Sequence, residues 1–185
     1  MKSFVTKLLS EAPVLTDGAW GSMFLAAGLA PGELGDLWNL THPERVAAVP
    51  RAYVEAGSRI ILTNTFRSNR ITLAAHGLED KIVELNRAGV EISRQAAAGR
   101  ALVFGSTGPT GKLLMMGETT RAELLDVFGE QFDILASAGV DALIIETMSD
   151  LEEATIAVEA ARRTGLPVVA CMVFDSGKNK DRTMM

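Results

Sequence analysis

The sequence predicts an α/β fold built on a parallel sheet, and three observations carry that expectation. Five short runs of β-branched and aliphatic residues are apolar almost without interruption: "PVLTD" (13–17), "RIILT" (59–63), "ALVFGS" (101–106), "DALIIE" (141–146) and "PVVACMVF" (167–174). That is the pattern of strands covered on both faces. Segments with helical spacing separate them, and three helix exits share one form, "EAGSRIILTN", "SAGVDALIIE" and "RTGLPVVACM": helix, glycine, short link, buried strand. The first four runs also give way to polar or acidic residues at their C-terminal ends.

The first run ends in Asp17, and the glycines of "GAWGSM" suggest a turn after it. A helix is expected over "PERVAAVPRAYVEAG", with Thr41 as N-cap ahead of Pro43 and Gly57 as its exit; Pro50 inside it should kink or divide it. The second run leads into Thr63, Asn64 and Thr65. "LEDKIVELNRAGVEISRQAAAG" then interleaves Ile82, Leu85, Val90 and Ile92 with charges and stops at Gly99. After the third run and "GSTGPTG", "TRAELLDVFGEQFDILASAG" opens with Thr120 and Glu123 in capping-box spacing and closes at Gly139. "DLEEATIAVEAARRTG" offers Asp150 as N-cap, acids in its first turn, arginines in its last and Gly165 after it, matching the helix dipole. The composition of "DSGKNKDRTMM", after the fifth run, marks an exposed and mobile end.

Strands alternating with helices mean βα units with right-handed crossovers, arranged as an open doubly wound sheet or as a (β/α)8 barrel. In either, ligands bind beyond the carboxyl ends of the strands. Asp17, the Thr63–Thr65 run, Ser106, Thr107 and Glu146 would therefore share one rim. Asp17 either caps the following turn or binds a cationic group, with N–H groups of the glycine turn free for an anion. Glu146, directly after "ALII", must meet a cation, a proton donor or the water of a cleft, because an unpaired buried carboxylate is costly. A buried salt bridge is its plainer reading.

Other residues carry weaker signals. Asn64 and Thr65 have the neighbouring loop as their commoner hydrogen-bond partner. "GSTGPTG" lacks both the G-K-[ST] ending and the G-x-G-x-x-G spacing of phosphate loops. His42 and His76 have no ligand at metal spacing and read as surface or capping residues. Cys171, inside the fifth run, reads as a small hydrophobe; Met115 and Met116, with Met184 and Met185, read as packing filler before they read as a pocket lining.

A length of 185 residues suits one domain, and 48% apolar with 22% charged residues excludes a largely disordered chain. The net charge of −5, without a basic cluster, gives no footprint for nucleic acid. One cysteine excludes an internal disulfide and fits a reducing compartment. The N-terminus lacks a signal-peptide pattern and no apolar run approaches the roughly 18 residues that span a bilayer, so no membrane is expected and the expected location is cytoplasmic.

In order and spacing, "DGAWGSM", "LWNLTHPERVAAVPRAYVEAGSRIILTNTF", "GSTGPTG" and "ETMSDLEEA" resemble the homocysteine S-methyltransferase family, from about Leu15 to Met185. The resemblance implies a (β/α)8 TIM barrel, of which this chain would carry about the first five βα units. Residues 1–185 would then be the N-terminal part of a single homocysteine-binding domain. The implied activity is transfer of a methyl group to the homocysteine thiol to give methionine, from a small-molecule or corrinoid donor. Asp17 and Glu146 would bind the homocysteine ammonium, and amides around Gly18 and Ala19 its carboxylate. Asn64, Thr65 and Ser106 would shape the pocket.

The resemblance also implies zinc, which turns a thiol of pKa near 8.5 into the reactive thiolate, and it allows cobalamin as methyl carrier. The family's zinc cysteines lie in "NC" and "GGCCG" contexts that do not occur in this sequence. Cys171 lacks the Asn neighbour, so no residue is assigned as catalytic or as a metal ligand. Five strands do not close an eight-stranded barrel. The chain is thus expected to be the N-terminal piece of a longer enzyme or one piece of a split one, completed by self-association or a partner chain and supporting little methyl transfer alone. Two alternatives stand beside this: a corrinoid-linked or other methyltransferase or demethylase on the same barrel, and a non-catalytic half-barrel binding or assembly module.

Overall fold

Four of the five apolar runs form strands, and they do so at their β-branched centres. The computed structural model describes residues 7, 8, 10 and 13–183. Within it β1 (Ile60–Leu62), β2 (Leu102–Thr107), β3 (Ala142–Met148) and β4 (Val168–Met172) make one parallel sheet in the order β1-β2-β3-β4. The first expected strand, 13–17, is reduced to a parallel bridge between Thr16 and Ile60. Pro13 and Gly18 bound it too closely for a longer ladder, yet it docks firmly: Arg59 N donates to Leu15 O at 2.8 Å and Asp17 N to Ile60 O at 2.9 Å.

The helices are α1 (Trp20–Ala26), α2 (Trp38–Thr41), α3 (Pro43–Glu55), α4 (Arg70–Ala74), α5 (Ile82–Ala97), α6 (Arg121–Ala138) and α7 (Leu151–Arg162). Two expectations about α3 need correction. Thr41 ends α2 instead of capping α3, whose N-cap position is His42 with no side-chain cap bond. Pro50 does not divide the helix, because the buried stripe of Val46, Val49 and Val54 holds both halves against the body of the protein. Helix α5 stops before Gly99, with Ala98 already left-handed at φ 46°. At α6 half of the capping box forms: Thr120 Oγ1 accepts from Glu123 N, while the Glu123 carboxylate takes the Thr119 hydroxyl. Asp150 caps α7 as expected, accepting from Glu152 N and Glu153 N.

Strand alternation divides the core. Ile61, Val103, Leu143 and Ile145 face Val54 of α3, Val90 of α5, Leu124, Phe128, Phe132 and Leu135 of α6, and Ile156 and Ala157 of α7. Ile60, Phe104 and Ala142 form a smaller cluster on the other face with Leu62, Leu102 and Ile144. These four helices therefore cover one face of a parallel sheet, an arrangement consistent with part of an α/β barrel wall. Strand β4 departs from the expectation of two covered faces. It is the outer strand of the sheet, and Val169, Ala170 and Cys171 on it are exposed, so Cys171 is not packed as a core hydrophobe. Residues 175–183 are largely exposed and turn back through a bridge between Ser176 and Arg182; Met184 and Met185 lie outside the described residues. No helix among the described residues is long and apolar enough to cross a membrane.

Candidate functional site

The carboxyl ends of the strands open into one cleft of about 800 Å³. Asp17, Gly18, Ala19, Asn64, Ser106 and Glu146 line it, joined by Trp20, Thr63, Phe66, Arg67, Asp36 and Thr147. Of the rim residues expected from sequence, Thr65 and Thr107 do not line it. Thr65 is fully buried one layer behind, where its Oγ1 donates to Ser106 O at 2.7 Å and lies 2.6 Å from Thr63 Oγ1. Thr107 is buried too, and its hydroxyl has no partner among the described residues.

Asp17 caps no helix. Its Oδ2 accepts from the Trp20 indole Nε1 and from Leu62 N, both at 2.8 Å, which ties the chain after the Thr16 bridge to the end of β1. Among the described residues Glu146 forms no salt bridge; its Oε1 accepts the Ser106 hydroxyl at 2.6 Å. Ser106 is placed in turn by Thr63, whose Oγ1 accepts from Ser106 N at 3.0 Å. Strand ends β1, β2 and β3 are thus cross-linked by side chains beneath the cleft.

Burial pushes the Asp17 carboxyl above the usual aspartate value, against the hydrogen bonds from Leu62 N–H and the Trp20 indole. Glu146 is raised first by burial and also by the charge of Asp17, with the Ser106 hydroxyl opposing. Neither carboxylate is shifted by a nearby cation. On each, one oxygen has no hydrogen-bond partner among the described residues: Oδ1 of Asp17 and Oε2 of Glu146. The backbone N–H groups of Gly18 and Ala19 are also free of partners there. A Cβ on Gly18 would lie 3.0 Å from the Tyr53 hydroxyl, and that hydroxyl donates to Ala19 O at 3.3 Å, so α3 braces this turn.

Several lining residues escaped the sequence reading. Asp36 is 4% exposed, accepts from Arg67 N at 2.9 Å and Ser68 Oγ at 2.7 Å, and burial pushes its carboxyl up to about 6. Trp20 and Thr147 sit within three residues of Asp17 and Glu146, and nearness to those acids was the available signal. Asn64 reaches the cleft but spends its amide on Gly35 O at 2.9 Å and Asn39 Oδ1 at 2.8 Å. In "GSTGPTG", Thr110 gives both its N–H and its hydroxyl to Glu153, at 2.8 and 2.6 Å, which sets a carboxylate where a phosphate loop would need open donors. Met115 and Met116 are 74% and 68% exposed and line no part of the cleft.

A thiolate-bound zinc does not fit the described residues. The single thiol, Cys171, is exposed on β4, and both burial and the charge of Glu146 push its pKa up, against thiolate formation. Among the described residues there is no group of three or more His, Cys, Asp and Glu that could hold a metal ion.

An acid pair beside free backbone N–H groups is chemically suited to a zwitterion. Against the methionine synthase of Mycobacterium tuberculosis the chain is 32% identical over 168 residues, 84% of this chain and 14% of that one. Against betaine–homocysteine S-methyltransferase 1 of Bos taurus it is 37% identical over 136 residues, 71% of this chain and 33% of the relative. The metallated homocysteine methyltransferase MmuM of Escherichia coli superposes with a TM-score of 0.75 at 25% identity, over 91% of this chain and 65% of that one. The chain therefore spans less than two thirds of the length of each of these relatives. Residues 14–185 match the homocysteine S-methyltransferase family, and the chain belongs to that family.

Proposed function

We propose that this chain binds homocysteine by its amino-acid end and forms the amino-acid-binding part of an enzyme that methylates the homocysteine thiol to methionine. The observation that carries the reading is the pairing, in one cleft, of two cation-free carboxylates, Asp17 and Glu146, with the unpartnered N–H groups of Gly18 and Ala19. An α-amino acid presents a matching ammonium and carboxylate. Bringing the ammonium between the acids lowers the cost of ionising both, since burial raises the pKa of each and the charge of Asp17 raises that of Glu146 further. The thiol-bearing arm then lies along the apolar lining of Leu62, Phe104, Ile144 and Val169. Held there, the sulfur is the nucleophile: its proton leaves, an S–CH3 bond forms, and the bond from methyl to donor breaks. The donor, a small molecule or a methyl-corrinoid, approaches the open side of the cleft.

Titration calorimetry tests the reading. L-homocysteine is expected to bind, Asp17→Asn and Glu146→Gln each to weaken it at least tenfold, and 4-mercaptobutanoate, which lacks the ammonium, to bind no more tightly than these variants bind homocysteine. Equal affinity for the two ligands in the unaltered chain would overturn it.

A further inference from the structure

Thr147 has a backbone that its residue type resists. Its φ is 62°, and among the described residues it is the one β-branched residue in the left-handed region, a conformation that costs a branched side chain most. The cause lies in the pairing of β3 with β4. Ile145 pairs with Ala170 and Met148 with Met172, so Glu146 and Thr147 together stand opposite Cys171, two residues against one. The bulge resets the alternation of the strand. Leu143 and Ile145 point to the helix side, and strict alternation would send Thr147 there and Met148 into the cleft. Met148 is instead fully buried in the helix-side core, while Thr147 is exposed and lines the cleft beside Glu146.

Glycine would take this backbone without strain. The retained side chain carries a hydroxyl with no partner among the described residues. Together with Asp17 Oδ1 and Glu146 Oε2 it makes three open acceptors on one rim. An ammonium has three N–H donors. We infer that Thr147 is a ligand-contacting residue whose Oγ1 is the third acceptor for the bound ammonium, placed there by the bulge. The inference rests on the amino-acid reading proposed above.

The test compares Thr147→Ser, Thr147→Val and Thr147→Gly with Asp17→Asn in the full chain, using calorimetry and thermal unfolding. Serine is expected to bind L-homocysteine within about twofold of the unaltered chain. Valine, which keeps the branch and loses the hydroxyl, and glycine, which loses both, are expected to bind about tenfold more weakly, as for one hydrogen bond to a charged group. Glycine should also raise the unfolding midpoint, since the strain is relieved. Affinity for 4-mercaptobutanoate should not change in any Thr147 variant, an outcome that a merely structural role would not give. If valine and glycine bind homocysteine as the unaltered chain does while Asp17→Asn does not, the Thr147 assignment is overturned and the amino-acid reading stands. If the unaltered chain binds no homocysteine, both are overturned.

Discussion

Gly108 shows how little room the cleft wall leaves. A Cβ there would lie 2.3 Å from the Phe66 ring, and two further ring atoms would be within 2.7 Å, so the aromatic seat exists only because this position has no side chain. Gly108→Ala is expected to push Phe66 into the cleft, to cost about 1–3 kcal/mol of stability by overpacking, and to weaken amino-acid binding; denaturant unfolding and calorimetry on one preparation check both effects. At this scale the sequence was informative about charge and silent about aim. Asp17, Ser106 and Glu146 were legible because each follows an apolar run, and strand ends of this fold face ligands. Thr65 belongs to the same run as Thr63 yet does not line the cleft, since its hydroxyl is turned to Thr63 Oγ1 and to Ser106 O one layer behind. Asp36 could not be found by that rule, because it lies in a short 3-10 turn, Gly35–Leu37, far from any strand end in sequence.

Among the elements, the helix signals with a mechanism at one end or the other held best. Asp150 caps α7, Thr120 caps α6, and Gly57, Gly139 and Gly165 all take positive φ after their helices. Strand limits were less legible, because an apolar run shows what is buried and not where the ladder stops. The bulge at Glu146–Thr147 had no sequence signature at all, the left-handed position being filled by threonine where glycine would have announced it. Strand β4 is the clearest case of pattern and burial disagreeing. Its run predicted two covered faces, yet it lies at the sheet edge with Val169 41% exposed and the Phe174 side chain beyond it 57% exposed. Exposed apolar edge strands pair with other chains. Light scattering on the chain is therefore expected to show concentration-dependent association, and Val169→Lys to reduce it; a strict monomer at high concentration would contradict this.

For the whole molecule, stability should carry the mark of its buried acids. Burial raises the Asp36 carboxyl from 3.8 to about 6. A folded-state pKa above the unfolded one means that the folded state holds its proton longer. The stabilisation from Asp36 is then fully present below about 3.8 and is lost as pH rises through about 6. Thermal unfolding is expected to show a falling midpoint between pH 5 and pH 7, and Asp36→Asn, which keeps an acceptor for Arg67 N–H and Ser68 Oγ–H, is expected to flatten that stretch. Asp17, Glu146 and Glu153, all raised chiefly by burial, push in the same direction. The parallel sheet followed from alternation and glycine exits, which left open whether helices cover one face or two; the carboxylates of Asp17 and Glu146 were visible as acids after apolar runs.

The bond from the Trp20 indole to Asp17 gives the chain a built-in optical probe. The sequence holds two tryptophans; Trp20 donates to Asp17 and Trp38 to Glu33, and both acids line the cleft. A cation arriving at Asp17 changes the field at an indole 2.8 Å away. Intrinsic emission should therefore shift on ligand entry and on acidification, with no dye attached, and Trp20→Phe should erase the ligand-dependent part while leaving the Trp38 background in place.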